Sequence, residues 1–257
     1  MSVKRALIIT SAGCSTRFGL SVGKEVLKVL YHEGEPKECL LAEQLALAAP
    51  EELDTTVIVG GFAFDELCKF VDRHYNGDRR IETVCNDKFR EYGSCYSLAC
   101  GLRTLRDRRL DEIIFMEGDL FLDAPSFSSV VASERDVVTA NRDMICADKS
   151  VIFYATPDGR LRYVYDTLHA VLRIDEAFTR LGNSGQVWKF RNTALLHDII
   201  DRLGPGLFSD TNLLPVERYF NARGLEHVEF ITFDTWFNCN TIDDYHAIRK
   251  HRTGNHG

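Results

Sequence analysis

Short β-branched segments alternate with helical patterns over the first 140 residues of this 257-residue chain, and this alternation most constrains its fold. The predicted strands lie at residues 6–10, 56–59, 81–85, 113–116 and 137–140. Apolar residues spaced three and four apart predict helices at residues 24–49, 64–74 and 95–106. Strands joined by helices need right-handed crossovers, so we expect an α/β fold with a mostly parallel sheet and helices on both faces. Ligands of such folds bind at the carboxyl ends of the strands.

The pattern changes near residue 145. Strand-like runs at 147–154 and 160–165 flank the turn sequence Thr156-Pro-Asp-Gly159, in which Pro sets φ and Gly tolerates a positive φ. Helical patterns at 193–203 and 212–223 and a strand-like run at 227–233 follow. We therefore expect a single domain over residues 1–257, with a small β lobe inserted at 145–190.

The charge balance narrows the class of partner. The chain has 31 Lys and Arg against 38 Asp and Glu, a net charge of −7, so it lacks the overall basic footprint of a nucleic-acid-binding protein. A local basic site for a small anion stays open. No run approaches the roughly 20 apolar residues that cross a bilayer, and the eight cysteines lie singly, without zinc spacing. We expect a cytoplasmic protein with neither a nucleic-acid nor a membrane partner.

Small residues and glycine follow the first predicted strand in the segment Ser11-Ala-Gly-Cys-Ser-Thr-Arg17-Phe-Gly19. At a strand-to-helix turn, such residues let backbone N–H groups approach a polyphosphate, and Arg17 and Lys24 supply positive charge. The spacing matches neither the G-x-G-x-x-G nor the Walker A pattern. A plain tight turn is the alternative interpretation.

Two later segments place polar groups at the same predicted edge of the sheet. Glu117-Gly-Asp119 ends a predicted strand, where Asp119 is either a Mg²⁺ ligand or a turn cap. In Asn238-Cys-Asn240-Thr-Ile-Asp-Asp-Tyr245, Asn240 is a second candidate ligand. Thr241 and Asp244 fit a helix N-cap, which explains them without any chemistry.

Taken together, these motifs resemble the sugar-nucleotidyltransferase-like superfamily. The resemblance rests on Ser-Ala-Gly-x-x-x-Arg-Phe-Gly with a downstream Lys, Glu-Gly-Asp-x-Phe-Leu, and Asn-x-Asn-Thr-x-x-Asp-Tyr. Residues 86–98, Asn-Asp-Lys-Phe-Arg-Glu-Tyr-Gly-Ser-Cys-Tyr-Ser-Leu, are similar to a segment of cytidylyltransferases that act on phosphocholine and on phosphonates. The resemblance implies a three-layer α/β/α Rossmann-like nucleotidyltransferase fold, with a mostly parallel mixed sheet.

The resemblance also implies an activity: Mg²⁺-dependent transfer of CMP from CTP to a small phosphonate, such as 2-aminoethylphosphonate, with release of pyrophosphate. It implies that Arg17 and Lys24 are catalytic and that Asp119 and Asn240 hold the metal. The implied nucleotide-binding residues are Ser11, Ala12, Gly13, Cys14, Ser15, Asn86, Ser97 and Glu117. Charge that develops during phosphoryl transfer does require cations and donors fixed in advance.

The chain departs from the family pattern at several positions. Ser11 and Cys14 stand where the family usually has alanine and glycine. Gly23 instead of proline precedes Lys24, and Lys28 is close enough to be the alternative lysine. Asn240 stands where several of these enzymes have an acidic ligand. Transfer to phosphocholine or a sugar phosphate, and a nucleotide-binding homologue with little turnover, remain alternatives.

Acceptor binding is assigned to residues in or beside the inserted lobe. Asn183-Ser-Gly-Gln-Val-Trp188-Lys189-Phe190 resembles a segment of phosphonate cytidylyltransferases. An acceptor dianion needs a cation, for which Lys189 and Arg173 are candidates. Trp188 is either a pocket wall or a core anchor. We expect CTP and a small phosphonate or phosphate ester as partners, with a homodimer as a candidate assembly.

Overall fold

The computed structural model describes residues 3–166 and 170–254; residues 167–169, inside the expected lobe, lie outside the described residues. The strands are β1 Arg5–Ser11, β2 Thr55–Gly60, β3 Ile81–Cys85, β4 Glu112–Glu117, β5 Leu120–Leu122, β6 Asp136–Asn141, β7 Ile152–Ala155, β8 Leu161–Val164, β9 Arg180–Phe190, β10 Val228–Thr232 and β11 Trp236–Asn238. The helices are α1 Thr16–Val22, α2 Leu40–Ala48, α3 Phe64–Tyr75, α4 Ser94–Leu105, α5 Ala124–Ala132, α6 Thr193–Asp201, α7 Leu213–Arg223 and α8 Ile242–Gly254.

The central sheet has the order β10-β6-β9-β4-β1-β2-β3. β1 is parallel to both β2 and β4, whereas β9 runs antiparallel between β4 and β6. The predicted mostly parallel sheet is thereby confirmed. Thr10 at the end of β1 lies opposite Glu117 at the end of β4, so the loops that follow both strands begin at the same edge.

Alternate residues of each strand enter two separate cores. Ala6 and Ile8 of β1 belong to the core with α4, α6 and α7, whereas Leu7 and Ile9 belong to the core with α2, α3 and α5. This period of two is expected for a strand buried on both faces. The arrangement confirms the three-layer α/β/α architecture.

Residues 24–49 do not form the single helix that their apolar spacing predicts. Two 3₁₀ turns, Lys28–Leu30 and Pro36–Glu38, precede α2, which begins only at Leu40. Proline lacks the N–H that a helix interior requires, and Gly34 weakens the helix further. The backbone of this segment is irregular, and it still buries the apolar side chains. The irregular path places Lys28 beside the edge of the sheet.

The inserted lobe is smaller than the expected residues 145–190. β7 and β8 form the predicted antiparallel hairpin, and β7 also pairs with the first half of β9. The second half of β9 lies inside the central sheet, so residues 187–190 belong to the main core. The Asn221 side chain of α7 bonds the backbone N–H and C=O of Leu161 at 2.7 and 3.0 Å, which covers the outer edge of β8.

The described residues contain neither a membrane-spanning helix nor a disulfide. Within residues 3–166 and 170–254, no helix combines the length and apolarity needed to cross a bilayer. The eight cysteines are free thiols. Burial raises the pKa of Cys39 to about 11 and that of Cys239 to about 12, so both thiols stay protonated near neutral pH.

Candidate functional site

A first cavity, of about 220 Å³, opens at the carboxyl ends of β1 and β4. Gly118 allows the two edges to approach each other, because a Cβ there would lie 2.6 Å from the Thr10 carbonyl oxygen. Cys14 and Asn86 do not line the cavity. The sequence-predicted nucleotide-binding residues that do line it are Ser11, Ala12, Gly13, Ser15, Ser97 and Glu117.

The loop after β1 has the geometry of an anion-binding concavity. The backbone N–H groups of residues 12–15 donate to no other described residue. Ser15 has a left-handed φ of 54°, and a change of backbone hand turns successive N–H groups toward one point. The Ser15 hydroxyl accepts a bond from the Lys28 backbone N–H at 3.2 Å, so the loop is tied to the segment that carries Lys28.

Lys28 lines this cavity, and Lys24 lies outside it. Lys28 Nζ is 2.9 Å from Asp119 Oδ2, and only 13% of the Lys28 side chain is exposed. Lys24 Nζ instead lies 5.9 Å from the centre of the Tyr31 ring. The expectation for Lys24 is therefore corrected, because the irregular backbone after Gly23 carries Lys28 to the sheet edge.

Glu117 and Asp119 both line the cavity, and we call these two neighbouring carboxylates the acidic pair. Burial, and then the charge of Asp119, raise the pKa of Glu117 to about 7, against the opposing effects of Asn212 and Lys28. Asn212 Nδ2 donates to Glu117 Oε1 at 2.7 Å. A cation bound beside both carboxylates would favour their ionisation, so the pair is suited to a divalent metal or a cationic group.

Two serine hydroxyls on the first turn of α4 also line the cavity, and each already accepts a hydrogen bond. Asn86 Nδ2 donates to Ser97 Oγ at 2.9 Å, and the Asn212 backbone N–H donates to Ser94 Oγ at 3.0 Å. Each hydroxyl therefore keeps its proton for donation elsewhere. Asn86 is buried, and its Oδ1 is occupied by the Lys88 N–H, so it orients Ser97 from behind.

A second cavity, of about 330 Å³, adjoins the first and shares Glu117 and Asp119 with it. Arg17 lines this second cavity, where its guanidinium donates to Asn240 Oδ1 at 3.0 Å. The exposed Lys149 adds a second cation at the same cavity. The two cavities thus lie side by side with the acidic pair between them, and together we call them the cleft.

The fit of Mg²⁺ to this cleft depends on Asp119. Its Oδ1 is buried without a hydrogen-bond partner among the described residues, so it is available to a cation. Asn240 fits less well, because its only ligating oxygen already accepts from the Arg17 guanidinium. Within the described parts of the chain, no three His, Cys, Asp or Glu side chains form a metal site. Mg²⁺ commonly takes one or two carboxylates and completes its shell with phosphate oxygens and water.

The predicted acceptor residues lie outside both cavities, and we correct their assignment. Lys189 is fully buried, with Nζ 2.9 Å from Glu112 Oε2 and 2.8 Å from the Val131 carbonyl oxygen. Trp188 is a core residue that stacks on Phe115. Lys189 pairs with Ile114 near the amino end of β4 and Trp188 pairs with Phe115 in its middle, so the antiparallel direction of β9 carries both away from the cleft.

Arg173 also lies outside the two cavities. Its guanidinium pairs with Asp175, and 78% of the side chain is exposed. Sequence reasoning missed Asn212, Lys149 and Gln186, which all line the cleft. For Gln186 the only signal was the glycine before it, because Gly inside a strand pattern often marks an irregularity, although it does not show which side chain is turned.

The architecture is shared with solved structures. The CTP:phosphocholine cytidylyltransferase from Streptococcus pneumoniae superposes with a TM-score of 0.68 at 13% identity, over 96% of this chain and 99% of that one. The inositol-1-phosphate CTP transferase from T. maritima has a TM-score of 0.68 at 15% identity, over 95% of this chain and 92% of that one. The fold of the chain is therefore the nucleotidyltransferase fold, as the sequence resemblance implies.

Sequence comparison places the chain more narrowly. Residues 24–252 match the model of a family described as Domain of unknown function (DUF6564), and the chain belongs to that family. No curated protein sequence matches significantly.

Proposed function

We propose that the chain is a cytidylyltransferase that, with Mg²⁺, transfers CMP from CTP to a small phosphonate such as 2-aminoethylphosphonate and releases pyrophosphate. The observation that carries the proposal is the pair of adjoining cavities that share Glu117 and Asp119. A group transfer between two substrates needs two sites that meet at the reacting atom. The acidic pair, which both cavities share, lies at such a meeting point.

The nucleotide occupies the first cavity in this proposal. The free N–H groups of residues 12–15 bind its phosphates, and Lys28 lies where a cation offsets their charge. Phe89 and Tyr92 supply aromatic surface for the base. Because Ser15 is bonded to the Lys28 backbone, the amides and the cation are held together before the nucleotide binds.

Cytosine is favoured by the polarity of the two serines of α4. Ser94 and Ser97 each have a proton to donate and an acceptor position already filled. Cytosine offers adjacent acceptors at N3 and O2, whereas uracil presents an N–H donor at N3. Sites built to hydrogen-bond one polar pattern reject a pattern that leaves their groups unpaired. We therefore propose CTP as the donor in preference to UTP.

The acceptor occupies the second cavity, beside Arg17 and Lys149. One of its phosphonate oxygens attacks the α-phosphorus of CTP, a new P–O bond forms, and the P–O bond to the pyrophosphate breaks. Lys28 stabilises the charge that grows on the α-phosphoryl oxygens and the leaving group. Asp119 would hold Mg²⁺, which supplies further positive charge to the phosphates when bound.

A second acceptor is supported by one comparison. A structural neighbour is named for phosphocholine, a phosphate monoester that presents the same oxyanion as a phosphonate. The segment at residues 86–98 resembles enzymes of both kinds, and we place the phosphonate first. Sugar phosphates are the third acceptor class.

The test is a matrix of substrates. Pyrophosphate release is measured with Mg²⁺ and each of the four nucleoside triphosphates against 2-aminoethylphosphonate, hydroxyethylphosphonate, phosphocholine and sugar 1-phosphates, with acceptor-free reactions as the control. We expect release only with CTP, and fastest with 2-aminoethylphosphonate. CTP binding without release for any acceptor would contradict the proposal and favour a nucleotide-binding homologue. Equal rates with CTP and UTP would contradict the role of the serines.

A further inference from the structure

Gln186 has a backbone conformation that its residue type disfavours. Its φ is +55°, in the left-handed region that non-glycine residues rarely occupy. The side chain is 4% exposed, yet it lines the second cavity. Strained polar residues in clefts are often functional, because the surrounding structure must hold them there.

The strain arises from an irregularity where β9 leaves the central sheet. The register between β6 and β9 shifts between Val138 and Ala140. Thr139 Oγ1 donates to the Val187 carbonyl at 2.6 Å and accepts from the Val187 N–H at 3.1 Å, which braces the irregular segment. Bulges of this kind re-aim side chains, and here the shift turns Gln186 toward the cleft.

A chain of side-chain amides fixes which end of the Gln186 amide is engaged and which end is left to donate. Arg17 can only donate, so Asn240 presents its oxygen to Arg17 and its Nδ2 to Asn238 Oδ1. Asn238 Nδ2 then donates to Gln186 Oε1 at 3.3 Å. Gln186 Nε2 is the last donor of this chain; no hydrogen bond joins it to another described side chain, and Gln186 itself lines the second cavity.

We propose that Gln186 binds the acceptor, with Nε2 donating to an oxygen of its phosphate or phosphonate group. The proposal rests on the function proposed above, and it adds the residue that orients the acceptor oxyanion. The cations Arg17 and Lys149 line the same cavity, as do the carboxylates of Glu117, Asp119 and Asp166. With Mg²⁺ held at Asp119, as proposed above, an anionic group is favoured beside the two cations. A protonated amine can only donate and so cannot bond to Nε2; the oxyanion end of the acceptor therefore faces Gln186 and any ammonium group points away.

The test replaces the amide nitrogen of Gln186, a hydrogen-bond donor, by a carboxylate oxygen that can only accept, in a side chain of the same shape. In Gln186→Glu, one carboxylate oxygen still accepts from Asn238, and the other takes the position of Nε2. We expect KM for the acceptor to rise roughly 10- to 100-fold, with KM for CTP unchanged. Lowering the pH should narrow the gap between variant and wild type, because the protonated carboxyl regains a donor. A purely structural role would not produce that pH dependence.

Two further variants distinguish the loss of the Gln186 donor from an effect of added charge and from a folding defect. Leu181→Glu adds the same charge on an exposed part of β9 and should leave both KM values unchanged. Gln186→Asn keeps an amide that tolerates a left-handed φ but shortens its reach, and should raise acceptor KM in a correctly folded protein even if Gln186→Glu does not fold. An acceptor KM unchanged in folded Gln186→Asn or Gln186→Glu would overturn the proposal.

Direct binding distinguishes this inference from the proposed function. The dissociation constants of 2-aminoethylphosphonate and phosphocholine are measured calorimetrically for wild type and Gln186→Glu with Mg²⁺ and a CTP analogue that has a methylene bridge between the α- and β-phosphorus, and pyrophosphate release is measured separately with CTP. Wild-type binding that weakens in the variant, without pyrophosphate release, would support Gln186 and refute the transfer. Release that proceeds at equal rates in both proteins at acceptor concentrations below the wild-type KM would refute Gln186 alone. A wild type that binds neither compound would overturn the acceptor role of Gln186.

Discussion

Replacing Lys28 by alanine removes the cation nearest to the acidic pair. Lys28 Nζ lies 2.9 Å from Asp119 Oδ2, with 13% of one side chain and 21% of the other exposed. Loss of one preorganised charge-stabilising group from an active site lowers kcat by about 100- to 1,000-fold, or about 3 to 4 kcal/mol in activation free energy. Both side chains of the ion pair are largely buried, so Lys28→Ala leaves Asp119 without its partner and should lower the free energy of unfolding by roughly 1 to 3 kcal/mol.

Lys24→Ala is the matched control, since it removes the same side chain four residues earlier. Lys24 lies outside both cavities, so its loss should change kcat less than about twofold, within the range of ordinary surface substitutions. The assay is pyrophosphate release under saturating CTP and acceptor, with melting curves of all variants to verify folding. Lys28→Arg should retain part of the activity, because the charge stays while its geometry changes.

The opposite pattern would refute this reasoning. If Lys24→Ala abolished turnover in a folded protein and Lys28→Ala did not, the family resemblance would have identified the catalytic lysine correctly. Lys28 would then be a partner of Asp119 with no role in transfer.

Three other perturbations test the remaining parts of the site. Asp119→Asn should raise the Mg²⁺ concentration needed for half-maximal activity by at least about tenfold, because the free Oδ1 loses its charge; an unchanged Mg²⁺ titration would remove Asp119 from the metal site. Lys189→Met should lower the free energy of unfolding by about 3 kcal/mol, since Glu112 and two backbone carbonyls lose a buried partner, and should leave the acceptor KM unchanged. Urea denaturation measures the stability and steady-state kinetics measure the KM. A raised acceptor KM at normal stability would contradict a core role. Without Mg²⁺, the contribution of Glu117 to the free energy of unfolding should fall as the pH rises from about 4.5 to about 7, because its raised pKa means that this carboxyl binds more proton in the folded chain than in the unfolded chain. Glu117→Gln should remove this contribution, and an identical pH dependence of unfolding in both proteins would refute the assignment.

The architecture and part of the cleft were predictable from local patterns. Strands such as β1 and β4 show themselves as short buried runs, and the loops after them must meet at one edge of a parallel sheet. Ser11, Gly13, Ser15 and Glu117 could therefore be placed near each other before the structure was known. The predicted helix at 24–49 was wrong because buried apolar residues in an irregular segment mimic helical spacing.

The rest of the cleft depends on contacts between residues distant in sequence. Lys189 looks like a surface cation, and only its pairing with Glu112 across the sheet shows that it is buried. Asn212 reaches Glu117 because α7 packs beside the sheet edge. The orientation of Gln186 depends on a register shift and on amide contacts with Asn238, neither of which has a sequence pattern of its own.

The identity of the products tests the central claim most directly. Purified protein is incubated with Mg²⁺, CTP and 2-aminoethylphosphonate or phosphocholine, and the products are identified by mass spectrometry and quantified. The two-cavity cleft predicts a CMP-acceptor conjugate and pyrophosphate in equal amounts, both formed at least about 100-fold more slowly by Lys28→Ala. CDP with inorganic phosphate, or CTP recovered intact with every acceptor, would contradict it.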